Sequence, residues 1–344
     1  MRKMLLPFSW LYAGITFLRN LLYDKGWFHS VSFDVPVICV GNITVGGTGK
    51  TPCIEYLIQL LRPMGQVGLV SRGYKRNTKG LVMAGADSGA LDIGDEPFQI
   101  KQRFGDLPIV VCGNRVQGIS FLLQNSTANM VLMDDGFQHR AVRAGLYVMM
   151  MDFNRPLWED HPFPAGTLRE SASGRRRAHI LIVNKCPDSL SDSVKELYFR
   201  KLDLQRGQHL FFSRIRYGEL IPFNHHTQIV DPVDVALAVS GIANPAPFHH
   251  YVRSIGNQVV EMAFGDHHHF SDDDLLSIET KFVSQSEVRK IVVITEKDAA
   301  RLHNINLSQF SFAEHLYYLP IELEFLFNEQ NKFDQLIKQY VGKN

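Results

Sequence analysis

The sequence predicts an α/β fold. Its parts are a P-loop NTPase-like parallel sheet with helices on both faces, a second, smaller α/β lobe joined by a β-ribbon linker, and an N-terminal membrane-associated helix. Three observations lead there. From residue 35 onward, short apolar β-branched runs alternate with helical patterns, the order that builds a parallel sheet covered on both faces. The first of these runs enters a glycine-rich turn that closes on Gly49-Lys50-Thr51. The first 25 residues hold an uncharged apolar stretch with Arg2 and Lys3 before it and Arg19 after it.

A chain of 344 residues holds about two domains, each large enough for its own core. Apolar residues at 45% and charged residues at 21% describe an ordinary globular protein. A net charge of +1 argues against a nucleic-acid footprint, which needs a strongly basic domain. Nothing in the sequence marks an obligate protein partner. Cys39, Cys53, Cys112 and Cys186 are scattered without metal-type spacing, which suits reduced structural thiols in a cytosolic setting.

In region 1–34 the uncharged stretch covers residues 4–18. On a helix, Ser9, Thr16 and Asn20 form one narrow polar strip and apolar side chains take nearly everything else. Fifteen residues rise about 22 Å, whereas spanning a bilayer takes about 20 residues and 30 Å. The segment is therefore expected to lie in one leaflet, with Trp10, Tyr12, Tyr23 and Trp27 at headgroup level. A buried core helix is the competing reading. A cleaved signal peptide is disfavoured, because no small-x-small site follows.

The P-loop lobe is expected over 35–207, with strands at 35–40, 68–71, 108–112, 130–133, 146–151 and 180–184. Helices are expected at 52–61, 96–104, 115–124 and 191–200. Gly46, Gly47, Thr48 and Gly49 let the backbone curl around one oxyanion, Lys50 reaches the outer phosphates, and the Thr51 hydroxyl suits Mg²⁺. A full P-loop carries glycine five residues before Gly49, where this chain has Thr44. A β-ribbon linker is expected over 208–232, with 209–216 and 219–221 paired around Tyr217-Gly218. The second lobe, 233–344, carries strands at 233–239, 258–263 and 290–294, a helix near 272–283 and a closing helix near 331–341.

Several positions bear chemistry. Strand 130–133 ends in Asp134 and Asp135, where a P-loop protein keeps its metal-side carboxylate. Asp134 is assigned the inner role with Thr51, and Asp135 either a second metal position or the orientation of Gln138 and His139. The alternative is a strand-end aspartate that caps the turn at Gly136. Asp95, in Gly94-Asp95-Glu96-Pro97, opens a helix and reads either as a cap or as a general base for an acceptor hydroxyl. A histidine from Asp266-His267-His268-His269 is a candidate proton partner, with Asp266 available to orient an imidazole. Adjacent histidines rarely share one ion, so a polar loop is favoured over a zinc site. Arg72, in Ser71-Arg72-Gly73-Tyr74, suits an anionic group as well as a solvated loop. Asn184-Lys185-Cys186-Pro187-Asp188 nearly matches the guanine-reading Asn-Lys-x-Asp, with the aspartate one position late, which disfavours a GTPase.

Taken together, these motifs resemble the tetraacyldisaccharide 4'-kinase family of lipid A biosynthesis along nearly the whole chain. The likeness runs through Gly41-Asn42, Gly46-Gly47-Thr48-Gly49-Lys50-Thr51-Pro52, Ser71-Arg72-Gly73-Tyr74, Gly94-Asp95-Glu96-Pro97 and Asp134-Asp135-Gly136-Phe137-Gln138-His139. It continues through Pro164-Ala165-Gly166, Leu168-Arg169-Glu170, Gly241-Ile242-Ala243-Asn244-Pro245, Asp266-His267-His268 and Thr295-Glu296-Lys297-Asp298. Thr44 agrees with the family, and Ala243 stands where it often shows glycine.

The resemblance implies ATP- and Mg²⁺-dependent phosphorylation of the 4'-hydroxyl of a tetraacylated glucosamine disaccharide 1-phosphate. It also implies two α/β lobes with the site in the cleft between them, and a catalytic Asp95 paired with His267. Lys50 and Thr51 would handle phosphate and metal, Asp134 and Asp135 the metal side, and Glu170 and His139 would stand near the site. A lipid acceptor puts the expected location at the cytoplasmic face of the inner membrane, peripheral or monotopic. The alternative is a membrane-anchored P-loop NTPase switch or assembly factor.

Overall fold

A computed structural model describes residues 2–225, 227 and 232–343. The strands in chain order are β1 (Val37–Gly41), β2 (Val67–Ser71), β3 (Val82–Met83), β4 (Ile109–Val111), β5 (Met130–Asp134), β6 (Leu146–Asp152) and β7 (Ile180–Asn184). They continue as β8 (His209–Tyr217), β9 (Ile221–Pro222), β10 (Val233–Ser240), β11 (Gly256–Ala263), β12 (Lys290–Thr295), β13 (Leu316–Leu319) and β14 (Ile321–Phe325). The helices are α1 (Leu6–Asp24), α2 (Lys50–Leu61), α3 (Ala90–Ile93), α4 (Asp95–Arg103), α5 (Arg115–Asn125), α6 (Asp192–Leu202), α7 (Ala246–Val252), α8 (Asp272–Val283), α9 (Glu296–Leu302) and α10 (Gln330–Val341).

The larger sheet runs β14-β8-β7-β6-β1-β5-β2-β4-β3, parallel throughout except for β14 and β3 at its edges. Its central strands β1, β2, β5 and β7 are buried at every residue, because helices cover both faces, so their sequences are continuous apolar runs. One side chain layer packs under α2 and another under α5. The smaller sheet, β11-β10-β12-β13-β9, is parallel except for β9.

The chain crosses between the sheets twice. Residues 209–216 and 219–221 do not pair with each other, contrary to the hairpin the sequence suggests. β8 lies parallel to β7 as part of the larger sheet, while β9 pairs with β13 of the smaller one. The return crossing, from β13 to β14, brings β14 antiparallel onto β8. Segment 321–341, expected in the second lobe, thus belongs to the larger unit, β14 within its sheet and α10 packed on it. The reason is aromatic. Phe325 and Phe333 pack with ring centroids 4.5 Å apart, and Tyr56 of α2 meets them at 5.5 and 5.8 Å. Burying such rings stabilises by roughly 1.5–3 kcal/mol each. Within the expected linker 208–232, residues 226 and 228–231 lie outside the described residues, as do residues 1 and 344 at the chain ends.

Helix α1 is inverted with respect to a helix of a globular core. Ser9 is fully buried and Thr16 nearly so, while Phe8, Trp10, Leu11, Ile15, Phe17 and Leu18 are all more than half exposed. The polar strip holds it to the body: Ser9 Oγ accepts from the Ala165 amide (2.9 Å), and Asn20 Nδ2 donates to Glu170 (2.8 Å). Tyr12 adds a bond from its hydroxyl to the Arg169 carbonyl (2.8 Å). The buried-core reading of this segment therefore fails. Among the described residues no helix is long and apolar enough to cross a membrane.

Candidate active site

The P-loop joins β1 to α2 at the carboxyl end of the larger sheet. Gly49 stands at φ +91°, and a Cβ there would come within 2.0 Å of Asn184 Nδ2, so both backbone and space demand glycine. Asn184 Nδ2 donates to the Thr48 carbonyl (3.0 Å), and Asn42 Nδ2 to Thr48 Oγ1 (3.1 Å). Lys185 Nζ reaches the Gly47 carbonyl and Asp152. Asp188 is exposed and pairs with Arg214. Asn184 and Lys185 thus brace the loop, and the near-match to a guanine motif has a structural use. Gly46 is at φ +103° and flanks the same turn. Pro52 falls in the first turn of α2, where no intrahelical N–H is needed.

Lys50 and Thr51 are buried at the start of α2. Lys50 Nζ lies 3.4 Å from Asp135, which also receives Arg169 Nη1 on both oxygens at 2.9 and 3.0 Å. Burial works against the charge on Asp135, but Lys50 and Arg169 outweigh it and hold the carboxyl below its usual range. Asp134 is different. Its Oδ2 accepts from Ser71 Oγ (2.9 Å), whereas its buried Oδ1 has no partner among the described residues. Burial foremost, then the charges of Glu96 and Asp135, pushes its carboxyl up to about 6. A buried carboxylate oxygen left open fits Mg²⁺, which takes oxygen donors and is usually held by one or two carboxylates plus substrate phosphates. Among the described residues no cluster of three or more His, Cys, Asp or Glu side chains could cage a metal by itself.

The second half of the site comes from α4 and the smaller sheet. Gly94, at φ +95° and placed so that a Cβ would come within 3.0 Å of the Gly73 backbone, turns the chain into α4, whose first residue is Asp95. His267 Nδ1 lies 3.0 Å from Asp95 Oδ2. The same oxygen accepts from Arg301 Nε (3.0 Å) and is 2.9 Å from Nη2. Burial would raise the Asp95 carboxyl, yet His267 and Arg301 more than offset it and lower it to about 2. Arg301 is itself almost fully buried, with Nη1 on Asp298 and on the Gly241 carbonyl, both at 2.7 Å. His267 Nδ1 also lies 3.3 Å from Arg301 Nη2, but an ionised Asp95 only accepts, so the shorter contact at 3.0 Å favours the proton on Nδ1.

The three histidines diverge. His267 meets Asp95, His268 bonds Asp274 at the start of α8 (2.9 Å), and His269 is exposed. Asp266 is exposed too, so the carboxylate on the imidazole is Asp95. Glu96, beside Asp95, pairs with Lys297 at 2.8 Å. Lys297 is the main influence holding its carboxyl low, against burial and with help from Lys50. The start of α4 therefore shares one electrostatic environment with the P-loop.

Other expected residues fall around this centre. Gln138 Nε2 donates to the Asn42 carbonyl and to Glu170, each at 2.9 Å. Glu170 is fully buried and also holds Arg177 (2.8 Å) and Asn20, so it ties α1 to the loop around the site. His139 is lowered to about 4 by burial and by Arg115, so its ring is neutral at pH 7. Arg72, just past the end of β2, is exposed. Arg301 and Arg115 belong to no motif in the sequence and join the site only through the fold. Arg115 is 2% exposed, donates from Nη2 to the Asp134 carbonyl (3.3 Å), and contacts the Cys112 carbonyl.

A family model described as tetraacyldisaccharide-1-P 4'-kinase matches residues 1–342. A Bacteroides thetaiotaomicron protein named tetraacyldisaccharide 4'-kinase is 43% identical, over 99% of this chain and 94% of the relative. One of the same name from Flavobacterium johnsoniae is also 43% identical, over 100% and 98%. The crystal structure of LpxK from Aquifex aeolicus in complex with ATP superposes with a TM-score of 0.77 at 28% identity, covering 99% of each chain.

Proposed function

We infer that this chain, which belongs to the tetraacyldisaccharide-1-P 4'-kinase family, transfers the γ-phosphate of ATP to the 4'-hydroxyl of a tetraacylated glucosamine disaccharide 1-phosphate in lipid A biosynthesis. The observation that carries the reading is the Asp95–His267 pair, contributed by the start of α4 and by the loop after β11 of the smaller sheet, with Glu96 beside it under the influence of Lys50. A sugar hydroxyl is a weak nucleophile. Both the His267 and Arg301 contacts fall on Asp95 Oδ2, which leaves Oδ1 for the acceptor hydroxyl. Asp95 takes the proton, and the contact from His267 Nδ1 orients and stabilises the carboxylate that does so, an arrangement worth about 10²–10⁴ in rate.

The remaining roles follow from phosphoryl transfer, which depends on position and charge. The amides of residues 46–51 and Lys50 hold the phosphates, with Lys50 steered by Asp135. Thr51 and Asp134 would hold Mg²⁺, which when bound neutralises charge on the transferred group. The acceptor carries four acyl chains and stays in the bilayer. The outward apolar face of α1 supports docking at the cytoplasmic surface of the inner membrane, where that lipid is met. Asp95→Ala tests the assignment: transfer should collapse with ATP affinity kept. Lost ATP affinity would put Asp95 on the nucleotide instead.

A further inference from the structure

Both partners of the Asp95 carboxylate hang from one peptide group at the end of β10. The Gly241 carbonyl accepts from Arg301 Nη1 (2.7 Å) and from the His267 amide (3.2 Å), and the Gly241 amide donates to Asp298 (2.9 Å). One residue earlier, the Ser240 carbonyl accepts from the Phe264 amide (2.7 Å), at the start of the loop that carries His267. His267 itself stands at φ +58°. A residue other than glycine keeps such a backbone only where its surroundings hold it. The setting of His267 and Arg301 therefore depends on how firmly Ser240 and Gly241 are fixed.

Strand pairing does not fix them on both sides. The register with β12 ends at Val239, opposite Ile294. Side chains take over from there. Asp298 holds the Gly241 amide, and Ser240 Oγ, fully buried, lies 2.9 Å from His249 Nε2. His249, on α7, is 5% exposed, and its Nδ1 faces Glu261 of β11 at 3.3 Å. Glu261 also receives Arg253 (2.6 Å). An ionised carboxylate only accepts, so Nδ1 carries the proton and Nε2 accepts from the Ser240 hydroxyl. Burial foremost, against Glu261, lowers the His249 imidazole below its ordinary value and keeps it neutral at pH 7.

Serine, imidazole and carboxylate stand here in the order that activates a nucleophile, yet Ser240 is closed to any substrate. We propose that His249 is a positioning residue for phosphate transfer: through Ser240 it fixes the Gly241 peptide, which sets Arg301 and His267 on Asp95. The proposal rests on Asp95 as the proton acceptor. Helix α7 is docked independently by Phe248 and Val252, both buried in the smaller lobe. Loss of the His249 bonds therefore loosens the strand end without releasing the helix.

His249→Phe keeps an aromatic ring and removes both bonds. In the full chain it should lower kcat for lipid phosphorylation about tenfold, less than a displacement of about 1 Å costs. KM for ATP should stay within about twofold. Ser240→Ala breaks the same link from its other end and carries the same expectation should His249→Phe fail to fold. The double variant should be no slower than His249→Phe alone. His249→Gln returns an amide within reach of Ser240 and should bring kcat back to within about threefold. Nitrogen NMR of the histidine rings reads the geometry without turnover. His267 should hold its proton on Nδ1 in the parent chain and in His249→Gln, and divide it between both ring nitrogens in His249→Phe. Parental turnover with a parental His267 spectrum in His249→Phe, or additive losses in the double variant, overturns the proposal while Asp95→Ala remains inactive. Transfer retained by Asp95→Ala overturns the reading of Asp95 and this proposal with it.

Discussion

Arg301→Met tests the structural logic of the site most severely. The arginine is 1% exposed at its side chain and makes four polar contacts of 2.7–3.0 Å, to Asp95, Asp298 and the Gly241 carbonyl. Asp298 is fully buried, and methionine would leave its charge and that of Asp95 uncompensated. Removing one partner of a buried pair costs about 3–5 kcal/mol. Burial would then act on Asp95 with less opposition, and its carboxyl should climb from about 2 toward the ordinary value. Loss of the clamp also frees Asp95 and His267 to shift, and displacement of about 1 Å in a catalytic group costs about 10² in rate. Denaturant unfolding gives the first quantity, and initial rates of phosphate transfer at saturating ATP give the second. Adding Asp298→Asn removes one stranded charge, so it should recover part of the stability and none of the turnover. Native-like stability and turnover in Arg301→Met would refute the clamp.

Gly49→Ala places a Cβ 2.0 Å from Asn184 Nδ2 at a left-handed φ, so ATP affinity should fall at least tenfold and stability by over about 1 kcal/mol; fluorescent nucleotide titration and thermal melts read both. Trp10→Glu with Leu18→Glu places charges on the outer face of α1, away from its bonds to the body, so liposome flotation should drop while the melting temperature holds. The lowered pKa of Asp95 gives a contribution of the order of 2 kcal/mol, present above the unfolded value near 3.8 and lost as pH falls toward 2. Asp95→Asn should lack that acid limb in stability measured against pH.

The sequence made some of this legible and hid the rest for physical reasons. The P-loop could be read because β1, its glycines and Lys50 are consecutive, and local order carries the chemistry. Asp134 followed because a buried strand displays its end. Asp95 could be nominated but not distinguished from a cap, since its partners lie 172 and 206 residues away. Arg301 carried no local signal: its value comes from three backbone regions meeting around one guanidinium. The return of β14 and α10 to the larger sheet was likewise non-local, decided by Phe325 and Phe333 against Tyr56. For α1 the polar strip was visible in sequence, and the structure adds that this strip faces the body.

The central claim is that one protein brings ATP and a bilayer-held sugar hydroxyl together at Asp95. Incubating the chain with γ-labelled ATP, Mg²⁺ and tetraacyldisaccharide 1-phosphate in mixed micelles, and mapping the product by phosphorus NMR, tests it directly. Label is expected in the lipid as a single 4'-phosphate ester, with little ATP hydrolysis when the lipid is omitted. Nucleotide hydrolysis indifferent to the lipid, or a preference for GTP, would contradict it and favour a membrane-anchored NTPase switch.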